Sequence, residues 1–500
     1  MPVLPSRSSA FLLLFLVGLT SILHSQETLD FRYELSPDIK QVYALALSLE
    51  LDAARQQIDQ LKQRDPANVA SDHMASYADV LELYITENAS DLEDFLERQE
   101  RRLAQATELS VHSPWFRYMM GELHLHRAVV LIRFEREWAA FRALNRAHRL
   151  LRDNAELFPD FLPTYKDLGL IHAAVGSIPP QYKWGVELFS SLNGTIAQGK
   201  REMERIVHGP GDTPFWAEAR ALYGFLHLYL LDDADAAWTL AQDWQLRPAE
   251  DKIHCFILST LAMRSGRNDE ANSILNQQPR GGTSLDFPYL DYMLGLVRLR
   301  KLDPAARVYF QSFLSRFSGG NFRRSARQKM AWAEYLRGNI EGYHAQMSQL
   351  DERANNRAGS DRNAAREAER EQPLHLTLLR ARLLFDGGYY QQARSEMEEV
   401  DPAALPDTDE IEYYYRTGRI LHGLKDWPGA LSFYERTISL GEEDDSFFAC
   451  NAALQAGLIE EDRNNRDSAR RYFRLCLDLQ PDEYRAGLHL QAKAGINRLK

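Results

Sequence analysis

The sequence predicts an all-α protein, built as a right-handed superhelical solenoid of roughly ten helix-turn-helix hairpins. Leu and Ala far outnumber Val and Ile, which favours helix because β-branched side chains lose rotamer freedom there. The chain has 500 residues and is 45% hydrophobic, enough for a packed core. Small residues also recur in a fixed pattern at intervals of 35 to 39 residues, which indicates stacked repeats rather than separate domains.

Residues 1–25 predict an export signal. The first ten residues carry Arg7 and no acid, and an apolar stretch follows from Phe11 to Leu23. This stretch is shorter than the roughly 20 residues that span a bilayer. We expect cleavage after Ser25 and an exported protein, periplasmic or envelope-associated in a Gram-negative-type bacterium. An uncleaved anchor is the alternative, and the lack of a Cys near the apolar stretch disfavours a lipoprotein.

One repeat unit is clearest near the C-terminus. Gly418 is followed twelve residues later by Ala430, and Tyr434 comes one helical turn after that. A small residue midway along one helix lets the next helix approach closely, and the larger side chain fills the gap. The same spacing gives the copies Gly457/Ala469/Phe473, Ala381/Ala393/Met397, Gly224/Ala236/Leu240, Ser259/Ala271/Leu275 and, less strictly, Gly295/Ala306/Phe310, Val42/Ala54/Ile58 and Ala333/Ala345.

This pattern resembles the tetratricopeptide repeat (TPR), best over residues 214–316 and 374–481, although the early Trp of that repeat is absent and the spacing exceeds about 34 residues. The whole chain is also similar to exported bacterial TPR proteins with no assigned activity. The resemblance implies a stacked solenoid whose concave groove is lined by the first helix of each hairpin.

Composition shifts divide the mature chain into regions. A Pro-Pro break at Pro179 interrupts one hairpin, and we expect a short extra helix from Tyr182 to Leu192. Residues 351–372 are rich in charge and hold no large apolar side chain, so we expect a solvated linker or exposed helix. The expected regions are 1–25 signal peptide, 26–160 N-terminal hairpins, 161–213 irregular hairpin, 214–350 TPR-like repeats, 351–372 charged segment and 373–500 C-terminal repeats.

Motifs for catalysis are absent from the sequence, so we expect no enzyme and no cofactor. Glu122, His124 and His126 are close in sequence, yet residues two apart on a helix point in different directions, so no shared metal is expected. Net charge of -12 disfavours nucleic acid, whose phosphates need Lys and Arg. The three cysteines predict no zinc site, while Cys450 and Cys476 fall in one hairpin, where a disulfide is conceivable.

The groove implied by the TPR resemblance suggests which residues bind a partner. Tyr offers contact area at low entropy cost, and Arg grips a carboxylate with two hydrogen bonds. With the first helices placed in the repeat register, the candidates for protein binding are Tyr289, Tyr292, Arg300, His375, Arg382, Tyr415, Arg419 and His422.

The function expected is a non-catalytic scaffold or adaptor that holds a protein or peptide partner of the cell envelope in this groove. One alternative is glycan capture at the cell surface, as in helical starch-binding lipoproteins, although no lipid-carrying Cys or cluster of Trp supports it. A less expected alternative is an enzyme, with a tight pocket of perturbed carboxylates or histidines near the Pro-Pro insert. The groove hypothesis fails if the chain's own insert or an oligomer contact fills the groove.

Overall fold

The computed structural model describes residues 30–178, 191–350, 359–370 and 373–499. In these ranges the chain forms 24 α-helices and no β-strand. The N-terminal helices are α1 Pro37–Leu47, α2 Leu51–Arg64, α3 Ala70–Thr86, α4 Leu92–Ala106, α5 Pro114–Arg133, α6 Glu137–Leu157, α7 Pro163–Gly176 and α8 Ile196–Val207. The central helices are α9 Trp216–Tyr229, α10 Ala234–Ala241, α11 Lys252–Arg264, α12 Asn268–Asn276, α13 Tyr289–Leu299, α14 Ala306–Arg316, α15 Arg323–Leu336, α16 Ile340–Met347 and α17 Gly359–Ala368. The C-terminal helices are α18 Leu376–Asp386, α19 Tyr390–Glu398, α20 Asp407–Gly423, α21 Trp427–Gly441, α22 Phe448–Asp462, α23 Arg466–Asp478 and α24 Arg485–Arg498.

Local chemistry sets the helix ends. At the start of α11, the Asp251 carboxylate accepts hydrogen bonds from the backbone N–H groups of Ile253 and His254 at 2.7 and 2.9 Å. These donors have no partner within the helix, so the side chain stabilises its first turn. After α11, Gly266 has a φ of +70°, a conformation that suits glycine and turns the chain into α12.

Close crossings hold each hairpin together. A Cβ on Gly457 would lie 2.6 Å from the ring of Phe473, and one on Gly418 would lie 2.7 Å from Tyr434. Both rings are fully buried. The small residue and the aromatic side chain of the predicted repeat therefore meet across the hairpin.

Two copies of the repeat have a different register from the one expected. In α10 the buried small residue is Ala237, not Ala236, and the side chain facing Gly224 is Trp244, not Leu240. In α16 the buried side chains are Tyr343 and Met347, whereas Ala345 is exposed. In these short helices the larger side chains determine how the second helix packs on the first, so the small residues do not lie at the predicted positions.

Helices pack in chain order. Each helix of a hairpin contacts its partner, every second helix except α16 also contacts the next hairpin, and first helices contact the first helix of the following repeat. The described residues form eleven such hairpins, from α1/α2 to α15/α16 and from α18/α19 to α22/α23, with α24 covering the last hairpin. The predicted all-α helical-repeat solenoid is confirmed.

The N-terminal half curls until distant repeats touch. The Thr283 hydroxyl donates a hydrogen bond to Glu50, 233 residues away, at 2.5 Å. The Glu87 carboxylate accepts hydrogen bonds from the backbone N–H of Gly320 at 2.9 Å and from the Asn321 amide at 2.8 Å. We call these the inter-coil contacts.

The predicted regions compare with the structure as follows. The signal peptide 1–25 and nearly all of the expected helix Tyr182–Leu192 lie outside the described residues. The irregular hairpin is formed by α7 and α8, where a Cβ on Gly199 would lie 2.2 Å from the Gly169 carbonyl oxygen. No described helix has the length and apolar character needed to cross a bilayer.

The expectation of a fully solvated segment at 351–372 is wrong for α17. This helix buries Asp361, Ala364 and Glu367, which lie on one of its faces. The two carboxylates enter the interior because α15 and α16 supply hydrogen-bond donors for them. Charge-rich sequence alone did not indicate those donors.

Candidate functional site

A cavity of about 560 Å³ lies on the first-helix side of the C-terminal repeats. It is lined by residues of α15, α17, α18 and α20, the start of α22, and the segments just before α22 and α24. We call it the C-terminal cavity. Its lining includes Phe385, Tyr415, Phe447 and Tyr484 together with Arg and acidic side chains, so it offers apolar area and charge in one place.

Helix α20 positions Tyr415 and Arg419 four residues apart, on one face of the helix. The Tyr415 hydroxyl accepts a hydrogen bond from the Asn451 amide at 2.8 Å, and its ring packs 5.2 Å from that of Phe448. Arg419 lies over the Phe385 ring of α18, with its guanidinium carbon 5.2 Å from the ring centre. These contacts fix both side chains at the cavity wall.

Two of the cavity's arginines lack an acidic partner. Arg416 pairs with Glu412, and Arg366 pairs with Glu483. Arg382 and Arg419 have no carboxylate within ion-pair distance among the described residues, and both lie over aromatic rings. A guanidinium that lies over a ring can still donate to a ligand in its own plane, and Arg419 also interacts with the Tyr415 hydroxyl and the Asp386 carboxylate.

Lys329 and Arg382 lie against the same aromatic ring. Burial and the neighbouring Arg382 guanidinium together lower the pKa of Lys329 to about 7. The Lys329 ammonium lies 3.8 Å from the centre of the Trp332 ring, and Arg382 lies over the same ring at 5.1 Å. An anion at this end of the cavity would relieve the repulsion between the two cations.

Carboxylates line the opposite end of the cavity. Asp445 precedes α22 and Asp482 precedes α24, and neither carboxylate is in an ion pair with another described residue. The two segments are held together because the backbone N–H of Asp482 donates to the Asp445 carbonyl at 3.0 Å. The arginines without an ion pair therefore lie at the α18–α20 end, where Asp386 also lines the cavity and attracts Arg419, and the carboxylates without an ion pair lie near the start of α24.

Helix α17 forms one wall of the cavity and is anchored on α15. The Asp361 carboxylate accepts hydrogen bonds from the backbone N–H groups of Phe322 and Ser325 at 2.5 and 2.8 Å. Burial raises the pKa of Asp361 to about 6, against the effect of these hydrogen bonds. Glu367 accepts from the Trp332 indole N–H at 2.7 Å and from the Tyr343 hydroxyl at 3.1 Å.

The other side of α17 reaches the start of α24. The Tyr484 hydroxyl donates to the Asn363 side-chain oxygen at 2.6 Å. Arg366 pairs with Glu483 and lies 5.8 Å from the centre of the Tyr484 ring. The segment expected to be a linker thus bridges two distant repeats across the groove.

The structure brings together three of the eight nominated residues, since Arg382, Tyr415 and Arg419 all line the C-terminal cavity. His375 and His422 do not line it. His422 is half-buried, with its Nδ1 atom 3.3 Å from the Tyr434 hydroxyl, and burial lowers its pKa to about 4. The binding roles of the three lining residues stay predictions.

The nominated residues of α13 are engaged elsewhere. Tyr292 is only 3% exposed, and its hydroxyl shares a hydrogen bond of 2.8 Å with Ser325. Tyr289 stacks on Tyr292 with ring centres 5.3 Å apart. Arg300 is half-buried, and its guanidinium donates to the Met263 carbonyl at 3.4 Å. They pack between repeats because the next hairpin covers this face of α13.

A second polar cluster lies inside the N-terminal half, and the sequence analysis did not predict it. The Lys166 ammonium is 2.6 Å from Glu122, 3.0 Å from Asp167 and 2.9 Å from Glu218. Lys166, Glu122 and Asp167 are each at most 2% exposed. We call this set the Lys166 network.

The network continues through neighbouring first helices. The Nε2 atom of His73 on α3 is 2.9 Å from Glu122, and its Nδ1 atom is 2.7 Å from the Tyr33 hydroxyl. Nearby cations, Lys166 above all, hold the pKa of Glu122 well below its usual range although burial opposes them. Burial holds the pKa of Asp167 well above its usual range. His124, two residues after Glu122 in sequence, forms no hydrogen bond or ion pair with Glu122 or Asp167 in the described part of the chain.

Comparisons with known proteins add little beyond the fold. No family model matches the chain, and no curated protein matches it. Similar solved structures include a monomeric mutant of IFIT1 with Gppp-AAAA, at 12% identity over 90% of this chain and 92% of that one with a TM-score of 0.34. Another is the APC/C hetero-tetramer Cut9-Hcn1, at 12% identity over 92% and 89% with a TM-score of 0.23. In the clearest hairpins a glycine of the first helix packs against a ring of the second, as Gly295 does with Phe310, Gly418 with Tyr434 and Gly457 with Phe473. The fold is a TPR-like helical solenoid.

The arrangement in this TPR-like solenoid suits binding in one place and structural support in another. The C-terminal cavity presents the Arg382 and Arg419 guanidiniums beside aromatic rings. The Lys166 network is enclosed and its charges face one another. Among the described residues, no group of three or more His, Cys, Asp or Glu side chains has a geometry suited to a metal ion.

Proposed function

We propose that this chain is a non-catalytic scaffold or adaptor, and that its C-terminal cavity binds a carboxylate-bearing segment of a partner protein. The observation that carries the proposal is the pair Arg382 and Arg419, whose guanidiniums face the cavity without an acidic partner among the described residues. A guanidinium forms two parallel hydrogen bonds with a carboxylate. Phe385 and Tyr415 supply apolar contact area beside them.

The affinity would come from a few anchors. Hot spots in interfaces are enriched in Tyr, Trp and Arg and lie in pockets from which water is excluded. The carboxylates at the opposite end of the cavity would repel an acidic segment that enters in the wrong direction. A ligand with its acidic group at the α18–α20 end and a neutral or basic part near Asp482 fits both ends.

The site of action proposed is the cell envelope, after export. The support for this part is the predicted signal peptide at residues 1–25, with its apolar stretch from Phe11 to Leu23. The partner proposed is accordingly another envelope protein.

The test begins with cross-linking of the tagged protein in its native cells and identification of the captured proteins by mass spectrometry. Peptides that tile the most enriched protein are then titrated against the purified chain. We expect one acidic peptide to bind, with a loss of at least tenfold in affinity for Arg382→Glu and for Arg419→Glu. The matched control is Arg436→Glu on α21, because this arginine is 51% exposed and does not line the cavity.

Two results would contradict the proposal. One is capture of the same proteins by wild type and by both cavity variants when those variants are folded by circular dichroism. The other is binding of soluble polysaccharides, measured by isothermal titration, that is lost with Tyr415→Ala while no peptide binds. The second result would favour the glycan-binding alternative.

A further inference from the structure

Helix α17 is held unequally at its two sides. The side toward α15 is interior: Asp361 is 0% exposed and Glu367 is 8% exposed, and both accept hydrogen bonds from α15 or its N-terminal end. The side toward α24 is a surface contact, since the side chains of Arg366 and Glu483 are 40% and 33% exposed. Surface ion pairs contribute little to stability, so this contact is the weaker one.

The weaker contact lies at the cavity. Asn363, Arg366, Glu483 and Tyr484 all belong to the cavity lining, and they meet where α17 reaches the segment before α24. The same Tyr484 also lines a neighbouring open groove of about 610 Å³ together with Phe447 and Asp482. The contact between α17 and Tyr484 therefore stands between the C-terminal cavity and this groove.

We infer that α17 is a lid, which stays docked on α15 and opens at its contact with Glu483 and Tyr484 to admit ligands to the C-terminal cavity. The inference rests on the proposed function for the role of the cavity, but the opening itself needs no ligand. Opening breaks the exposed Arg366–Glu483 ion pair, the hydrogen bond from Tyr484 to Asn363 and the contact of Arg366 with the Tyr484 ring, while the buried anchors of Asp361 and Glu367 remain. Local openings of this kind occur where the contacts of a fold are least stable.

The experiment places a reporter thiol behind the lid. Ser446 lines the cavity, and its hydroxyl oxygen is buried and has no hydrogen-bond partner in the described part of the chain. Ser446→Cys exchanges one small side chain for another of similar size. Its rate of reaction with a maleimide reports how often the lid opens. The native cysteines at 255, 450 and 476 are buried, so they contribute a slow background that the protein without the new thiol measures.

Charge reversal then opens and recloses the lid. We expect Arg366→Glu and Glu483→Arg, each in the Ser446→Cys protein, to raise the maleimide rate by about fivefold or more, because each exchanges an ion pair for a repulsion. The double variant Arg366→Glu with Glu483→Arg restores the pair with reversed polarity and returns the rate toward that of the Ser446→Cys protein. A merely structural effect of either substitution would add in the double variant instead of cancelling.

A second thiol provides the control. Ser315→Cys on α14 is exposed and does not line the cavity, so its rate should be the same in all four charge backgrounds. Equal rates at residue 446 in all four backgrounds would overturn the lid, as would a rate in the double variant that exceeds both single variants. Neither outcome depends on a ligand, so the lid and the proposed binding function fail separately.

Discussion

Replacement of Lys166 by Met tests whether the Lys166 network stabilises the N-terminal half. The change keeps most of the apolar side chain and removes the ammonium that contacts Glu122, Asp167 and Glu218. Removing one partner of a buried ion pair costs about 3–5 kcal/mol because the remaining charge is left without compensation. We expect a loss of this size in the free energy of unfolding of the N-terminal hairpins.

The loss should depend on pH. The pKa of Asp167 in the folded protein is raised by burial, so the folded state holds a proton that the unfolded chain releases, and this group lowers stability as pH rises. Without the Lys166 ammonium, the pKa values of Glu122 and Asp167 rise, because Lys166 lowers both of them in the wild type. The deficit of Lys166→Met relative to wild type should therefore be larger at pH 8 than at pH 5.

The assay is urea unfolding followed by circular dichroism, with hydrogen exchange of α5 and α7 to localise the effect. The matched control is Lys200→Met, which removes a partly exposed lysine paired with Glu204 on the same helix and should cost at most about 1 kcal/mol. If Lys166→Met unfolds at the same urea concentration as Lys200→Met at pH 8, the reasoning about the network is refuted.

Two further predictions concern the C-terminal hairpins. Gly457→Ala should destabilise the fold by about 1–3 kcal/mol, since its Cβ would lie 2.6 Å from the Phe473 ring. The control Gly487→Ala should be neutral or stabilising, because no atom lies within 4 Å of the added Cβ. A lower melting temperature for both variants would contradict the crossing. Cys450 and Cys476 are buried with Sγ atoms 3.6 Å apart, so the two thiols are in contact and must approach by roughly 1.5 Å to form a disulfide bond. Refolding with oxidised glutathione should join them, with loss of two hydrogens by mass spectrometry, and two free thiols per hairpin after refolding would contradict this.

The parts of the fold that depend on periodicity were predictable. The pairs Gly418–Tyr434 and Gly457–Phe473 meet as their spacing indicated, because residues three or four apart share a helix face. The register failed at Ala236, where Trp244 from beyond the end of α10 packs on Gly224. The spacing of residues within a repeat cannot predict a contact made by a residue outside that repeat.

The candidate site was predictable only in part. Arg382, Tyr415 and Arg419 line the C-terminal cavity because the first-helix register places them there. The role of α17 was not predictable, since nothing in the sequence distinguishes the buried carboxylates of Asp361 and Glu367 from exposed ones. Their burial depends on donors from residues 322 and 325 and from Trp332, which the spacing of residues within 351–372 does not encode.

The inter-coil contacts change how the N-terminal half should respond to force. A solenoid in which each repeat touches only its neighbours extends like a spring, one interface at a time. Here Glu50 and Glu87 bind residues 233 and 234 positions further along the chain, so a pull on the ends loads these bonds before the hairpins separate. The N-terminal half should therefore behave like a closed ring under tension. It should resist small extensions, and it should extend easily only after the inter-coil contacts have broken.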